Sequence, residues 1–282
     1  MADSMGIDLA RSLLFVPGNR PDRFEKAVRS GADAVILDLE DSVPTEEKAA
    51  ARQAIEREWG RLQAFGVPLV VRINAVGTDA GELDLRWLKH LPAPAAIMLP
   101  KSESPLAVAR VFEALGGTAV LPIIESAAGF AALDTLAAAT GVLRLVVGHI
   151  DFMVDTGLQC DESESELAPL RFAVAMSTRL NHLAPAVDGV TVQIGDDDRL
   201  QGDTRRALRY GFGGKLCIHP SQVNVVHAAM APTAQEVDWA RRALAADAAS
   251  GGAAVKLDGR MVDLPVVLQA RRTLARAASR KQ

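Results

Sequence analysis

Ala34-Val35-Ile36-Leu37-Asp38-Leu39-Glu40-Asp41 is an apolar, largely branched run that stops abruptly in acids. A run with no polar alternation suits a parallel strand buried on both faces. Upstream, Ser12 to Val16 has the same character, and Pro21 to Ser30 between the two is helical in spacing, with Pro21 at a first-turn position. Downstream, the helical segment Thr45 to Trp59 leads into a further strand, Leu69 to Ile73. The alternation continues through Ala96 to Leu99, Val120 to Ile124, Leu143 to Val147, Gly189 to Gln193 and Leu216 to Ile218, with Glu164 to His182 among the intervening helices. Eight strands alternating with helices predict an α/β fold, a closed (β/α)8 TIM barrel. An open doubly wound sheet competes, but it needs fewer strands and a glycine-rich turn after the first, and Val16-Pro17-Gly18-Asn19 is no such turn.

Beyond the eighth strand, Thr233 to Ser250 reads as a helix, Gly251-Gly252 as a break and Val255 to Val262 as a hairpin about Asp258-Gly259, after which Pro265 opens a last helix. The expected organisation is a TIM-barrel catalytic domain over residues 1–232 and a small helix-hairpin-helix extension over 233–282, serving as a lid or a subunit-exchange segment.

Composition narrows the function. Across 282 residues, 49% are hydrophobic and only 4% aromatic, which fits a layered aliphatic barrel interior better than a base-stacking platform. A net charge of -4 provides no general attraction for polyanions, so nucleic acid is not an expected partner and phosphate binding should rest on a local basic cluster. Cys160 and Cys217 lack C-x-x-C spacing, and Met1 to Ala10 lacks the pattern of a signal peptide, so a reducing cytoplasm is the expected location. No apolar run approaches the roughly 20 residues that span a bilayer, so no membrane association is expected.

In a barrel of this kind the chemistry sits where the strands end. Those ends supply Asp38, Glu40 and Asp41; Arg72 and Asn74; Lys101; Glu125 and Ser126; His149 and Asp151; and His219. Glu125 and Asp151 fall on neighbouring rims, where two hard oxygens suit Mg2+. Arg72 offers a planar fork for a substrate carboxylate or an enolate oxygen. Each residue also has a plainer reading. Glu125 can cap the helix beginning near Ser126, Asp151 can end a strand in a solvated turn, and Arg72 can pair with Asp38 or Glu40. Arg20, Arg23 and Lys26 can be a solvated helix face, His149 a core histidine, His219 a shaped wall before Pro220, Cys217 a buried small side chain, and Asp263 the N-cap of the last helix.

Seven ordered blocks resolve much of this choice. Arg11-Ser12-Leu13-Leu14-Phe15-Val16-Pro17-Gly18-Asn19, Asp38-Leu39-Glu40-Asp41-Ser42-Val43, Val71-Arg72-Ile73-Asn74, Met98-Leu99-Pro100-Lys101-Ser102-Glu103-Ser104, Ile124-Glu125-Ser126-Ala127-Ala128-Gly129, Cys217-Ile218-His219-Pro220-Ser221-Gln222 and Met261-Val262-Asp263-Leu264-Pro265 resemble the citrate lyase β-subunit and malyl-CoA lyase family, the HpcH/HpaI aldolases. The resemblance implies a carbon-carbon lyase in which Glu125 and Asp151 hold Mg2+, Arg72 binds the acid or enolate and Asp263 is an acid/base residue. It further implies contacts to an acyl-CoA from Arg20, Arg23, Lys26, Lys101, Ile218, His219 and Pro220, a small α-keto acid as the second partner, and a homo-oligomer, trimer or hexamer. Where many members have Gly-Ala-Glu-Asp, this chain has Gly148-His149-Ile150-Asp151, with Ile150 in place of a carboxylate. That form is more similar to the branch cleaving (S)-citramalyl-CoA to acetyl-CoA and pyruvate. The alternatives are a malyl-CoA lyase or thioesterase, a citrate lyase β subunit, a class II aldolase on free keto-deoxy acids, and a non-catalytic assembly subunit.

Overall fold

The computed structural model describes residues 6–278. Eight strands, β1 (Ser12–Pro17), β2 (Ala34–Asp38), β3 (Leu69–Arg72), β4 (Ala96–Leu99), β5 (Val120–Ile124), β6 (Val146–Val147), β7 (Val187–Asp188) and β8 (Gly214–Cys217), close into one barrel in sequence order. Every neighbouring pair is parallel, including β1 with β8, where Leu13 faces Leu216. The helices of the first half are α1 (Phe24–Val28), α2 (Lys48–Gln63), α3 (Asp79–Leu88), α4 (Pro105–Ala114), α5 (Ala127–Ala131) and α6 (Leu133–Ala137). Those of the second half are α7 (His149–Thr156), α8 (Ala168–Leu180), α9 (Asp197–Arg209) and α10 (Ser221–Met230). The fold is the expected (β/α)8 barrel.

Strand seven is the main departure, lying at Val187–Asp188 instead of Gly189 to Gln193. Val190, Thr191 and Val192 have strand propensity, but their neighbourhood is served by side chains. Lys215 Nζ donates to the carbonyl of Gly189, Gln222 Nε2 donates to that of Thr191 at 2.9 Å, and the Thr191 hydroxyl donates to Asp203 at 2.8 Å. Tertiary partners thus override local propensity. Strand six is also shorter than Leu143 to Val147, retaining only an isolated bridge from Val142 to Val120 before Val146.

Alternation along each strand fills the interior and aims the site. Leu13, Ile36, Val70, Met98, Ile123, Val146, Val187 and Leu216 pack within the barrel. Two residues further along β1, β2, β3 and β5, the same parity delivers Phe15, Asp38, Arg72 and Glu125 to the mouth. Toward the strand starts, the buried Arg144 donates to the carbonyls of Pro185, Ile7 and Ala10 at 2.7, 2.9 and 2.7 Å. Burial lowers its pKa to about 10.

A second compact unit begins at Ala228, inside α10, earlier than the expected residue 233. It contains α11 (Ala234–Ala249), the antiparallel pair β9 (Val255–Leu257) and β10 (Arg260–Val262), and α12 (Leu264–Ala278). The expected helix-hairpin-helix order is present. Thr233 and Glu236 form a reciprocal capping box at the start of α11, and Asp258 and Gly259 take the left-handed conformations (φ 47 and 79) that such a two-residue turn requires. Ala240, Ala243, Val262, Val267 and Ala270 make its core, while Met261, Leu264 and Leu268 remain exposed. Among the described residues no helix is long and apolar enough to cross a membrane.

Candidate active site

Arg72 organises one side of the mouth. Its Nε and Nη2 donate to the two oxygens of Asp38 at 2.6 and 2.7 Å, and its Nη1 lies 2.8 Å from Glu40 Oε2. The guanidinium also stacks 4.7 Å from the centre of the Phe15 ring. Burial opposes its charge, but the hydrogen bonds to Asp38 and the field of Glu40 and Asp41 hold its pKa above the ordinary value. Burial likewise opposes ionisation of Asp38, yet Arg72 wins and keeps that carboxyl below the usual range. Glu40 behaves oppositely: burial dominates, Asp41, Glu125 and Asp38 reinforce it against Arg72, and the pKa rises to about 8. The plainer reading of Arg72 as an ion-pair partner is therefore realised, and the pairing fixes a cation at the mouth ahead of any ligand.

Across the mouth, Glu125 Oε1 accepts from the Lys101 backbone N–H at 2.7 Å, which Lys101 presents from a left-handed conformation (φ 47). The Lys101 ammonium then reaches Asp151 Oδ1 at 2.5 Å and Glu125 Oε1 at 3.4 Å. One positive charge, the Lys101 ammonium, thus sits between these two carboxylates. Burial raises the Glu125 pKa, and Asp151 adds to that effect against Lys101 and Arg72. A side chain at position 148 would put its Cβ 2.6 Å from Glu125 Oε2, so Gly148 leaves the carboxylate its room. Among the described residues no group of three or more His, Cys, Asp or Glu is arranged to hold a metal ion. Two protein oxygens with the remaining positions left to water or substrate fit Mg2+, which retains much of its own hydration. The capping role open to Glu125 falls instead to Ser126, whose hydroxyl accepts from Gly129 N at 3.0 Å. Asp151 is in the first turn of α7, not at a strand end.

Other expected residues are more dispersed. Arg20 is paired with Asp22, at 2.9 and 2.8 Å, ahead of a short 3-10 turn, while Arg23 and Lys26 are exposed. Ile218, His219 and Pro220 form a half-buried turn in which Gln222 Oε1 accepts from the backbone of Ile218 and His219, at 2.8 and 3.3 Å, and His219 Nδ1 meets Ser221 Oγ at 2.7 Å. His219 is thereby held as wall. Asp263 belongs to the second unit and sits at the N-cap of α12, with the Val266 N–H 3.4 Å from its Oδ1. Buried Cys217 has its thiol pushed up to about 12 by burial.

Sequence reading missed a charged layer behind β7 and β8. Asp188 and Lys215 are fully buried there, and Arg171 donates to Asp188 at 3.1 Å and to Glu164 at 2.8 Å. Arg199 and Arg206 converge on the same Glu164, at 2.8 and 2.6 Å. His149 is buried beside this layer, with burial lowering its pKa to about 4, which fits the core reading and leaves it neutral. These residues belong to separate elements, so no spacing rule joins them.

Residues 11–220 match the family model described as HpcH/HpaI aldolase/citrate lyase. A citrate lyase subunit beta-like protein of Mycobacterium tuberculosis is 37% identical over 94% of this chain and 94% of its own length. A (3S)-malyl-CoA thioesterase of Cereibacter sphaeroides is 30% identical over 95% of this chain and 94% of its own. The crystal structure of M. tuberculosis CitE in complex with magnesium, acetoacetate and coenzyme A superposes with a TM-score of 0.85 at 34% identity, covering 96% of this chain and all of that one (100%).

Proposed function

The chain belongs to the HpcH/HpaI aldolase/citrate lyase family, and on that premise we propose that it is a Mg2+-dependent carbon-carbon lyase cleaving a 3-hydroxyacyl-CoA, with (S)-citramalyl-CoA as its substrate and acetyl-CoA and pyruvate as products. The observation that carries the reading is the convergence of Glu125 and Asp151 on one positive charge at a mouth where Arg72 is already fixed. A small acid bearing a hydroxyl is the ligand such a mouth can orient. Ile150, partly exposed beside Asp151, supplies apolar surface for a substrate methyl group. The relative solved with magnesium, acetoacetate and coenzyme A supports the same ligand classes here.

Mg2+, when bound by Glu125 and Asp151, would polarise the carboxylate and hydroxyl oxygens of the acyl chain. Arg72, held by Asp38 and stacked on Phe15, faces the thioester oxygen and stabilises the enolate that develops as the carbon-carbon bond breaks. Asp263 returns a proton to the enolate carbon, reaching the mouth from a neighbouring copy in a cytoplasmic homo-oligomer, a trimer or hexamer. Lys101 contacts the acid end of the substrate.

Arg20, Arg23 and Lys26, with the Ile218-His219-Pro220 turn, contact the CoA portion. Arg20 leaves Asp22 to do so, an exposed pair of small worth. Replacing Arg20, Arg23 and Lys26 together by Ala is expected to raise KM for the CoA ester about tenfold, roughly 1.4 kcal/mol of binding, while kcat changes little because these groups touch only the unreactive end. Steady-state kinetics with an unchanged KM would place CoA elsewhere.

Mass analysis of products from citramalyl-CoA, malyl-CoA and 3-hydroxy-3-methylglutaryl-CoA tests the function. Acetyl-CoA and pyruvate from the first, faster than any cleavage of the others, is the expected result. The relationship to a malyl-CoA thioesterase favours one second reading, which free CoA and intact malate would reveal. No turnover of any of the three with Mg2+ present would overturn the lyase.

A further inference from the structure

The cleavage needs a group to take the proton of the 3-hydroxyl. Glu125 and Asp151 would commit oxygens to a bound cation, Arg72 cannot accept a proton, and Asp263 is assigned to the carbon. We propose that Glu40 is a catalytic residue, its carboxylate accepting the hydroxyl proton in the cleavage direction and returning it in the direction of condensation. This assignment rests on the lyase reading above.

Glu40 follows Asp38 by two residues and is only 8% exposed. Its backbone is pinned: the N–H donates to Asp38 Oδ1 at 3.0 Å, and the carbonyl accepts from Lys48 Nζ at 2.9 Å and Val43 N at 3.1 Å. The carboxylate is ion-paired with Arg72 but lacks a hydrogen bond at Oε2. Oε2 lies 2.8 Å from Arg72 Nη1 but off the line of its N–H, and this buried oxygen has no hydrogen-bond partner. A buried acceptor in that state costs about 1–3 kcal/mol, which invites a ligand to complete it. Asp38 is the contrast. Arg72, Ser42 and the backbone of Glu40 occupy both its oxygens, so it has a structural role only.

The charges facing Glu40 are Arg72 from β3, Glu125 from β5, Lys101 from the turn after β4, Lys48 from α2, and Asp38 and Asp41 on its own segment. Burial, the largest cause, raises the pKa of its carboxyl, the direction that favours proton uptake by a buried carboxylate. In cleavage the O–H pair becomes the new C=O bond as the proton passes to Glu40. The carbon-carbon pair moves onto the thioester α-carbon as an enolate with Arg72 at its oxygen. That carbon then takes a proton from Asp263. Glu40 releases its proton to solvent, from which Asp263 recovers one, so no net proton is consumed.

Glu40→Gln tests this with citramalyl-CoA and Mg2+. The expected result is a kcat lower by about 10²- to 10³-fold, a KM within about threefold, and loss of the limb of kcat/KM that rises with pH. Deuterium wash-in to the methyl group of acetyl-CoA, measured in D2O with oxamate in place of pyruvate, involves Asp263 and Arg72 but no hydroxyl, so Glu40→Gln is expected to retain it. A kcat within about threefold of wild type overturns the assignment. So does parallel loss of cleavage and wash-in, which would mean that Glu40 acts only by positioning Arg72. If wild type cleaves none of the three esters, the lyase reading fails and this assignment falls with it; wild-type cleavage matched by Glu40→Gln removes Glu40 alone. Should Glu40→Gln fail to give a cooperative melt, Glu40→Asp carries the same comparison. A base withdrawn by one methylene loses kcat at retained KM, and an unchanged kcat overturns the proposal.

Discussion

Glu125→Gln and Asp151→Asn are each expected to lower turnover on the order of a thousandfold, about 4 kcal/mol of barrier, and to weaken Mg2+ binding measured by calorimetry. Each change keeps the side-chain shape while removing half the negative charge of a two-carboxylate site. The fold should survive. In Glu125→Gln the amide oxygen can still accept from the Lys101 N–H, which holds the carboxylate at 2.7 Å in the native protein. The metal-free variant is expected to melt no lower than wild type at neutral pH, because the sign of the Glu125 shift is unfavourable to the ionised native state. Burial raises the pKa of this group in the folded chain, so the native state binds more protons and loses stability as pH rises above the ordinary carboxylate range. An amide at this position has no such dependence. Wild-type turnover in excess chelator, or unaltered calorimetric binding in both variants, would remove the metal site.

Co-expressed Asp263→Ala and Asp151→Asn chains carrying different tags are expected to recover activity that both parents lack. If Asp263 serves a neighbouring copy, a mixed oligomer contains interfaces where an intact Glu125–Asp151 pair meets an intact aspartate, and the contacts between identical chains in a closed ring are heterologous. Met261 and Leu264 on either side of Asp263, with Leu268 one helical turn beyond, are 69%, 66% and 43% exposed, an apolar edge suited to burial by another surface. Gly251 and Gly252 both take left-handed backbone (φ 64 and 89) at the turn out of α11. Activity should scale with the fraction of doubly tagged oligomer. If purified mixed oligomers stay as inactive as the parents, Asp263 serves its own barrel or only caps α12.

The barrel was legible because eight apolar runs recur between helical segments, and the acids and arginine at their ends follow from strand parity once the barrel is assumed. Strand parity brings Arg72 and Glu125 to the mouth, whereas Asp151 comes from the first turn of α7, a placement that strand parity does not give. Lys101 was found as a rim residue, but its left-handed backbone, which turns its N–H onto Glu125 while its ammonium reaches Asp151, has no signal in a non-glycine sequence position. Strand seven was misplaced because Val190, Thr191 and Val192 look like a strand locally while their partners, Lys215, Asp203 and Gln222, come from β8, α9 and α10. Glu40 was visible as one of several acids after β2. Its distinction from Asp38 depends on which of the two Arg72 grips with both nitrogens, and that is a property of packing alone.

The seam of the barrel has a consequence for how the chain is made. Strand β1 pairs on one side with β2, nearby in sequence, and on the other with β8, whose Lys215, Leu216 and Cys217 meet Ser12, Leu13 and Leu14. Just beyond β8, His227 bonds back to Ser12 at 2.8 Å and lies 3.3 Å from Asp33, which Arg11 also grips. During synthesis the first strand therefore exposes one hydrogen-bonding edge until nearly the whole barrel has emerged, and long-range pairing of this kind is slow and prone to mispairing. The unit that starts at Ala228 has a core of its own. Its residues follow the seam out of the ribosome, so β8 and the His227 latch can reach β1 while the chain is still tethered through that later unit.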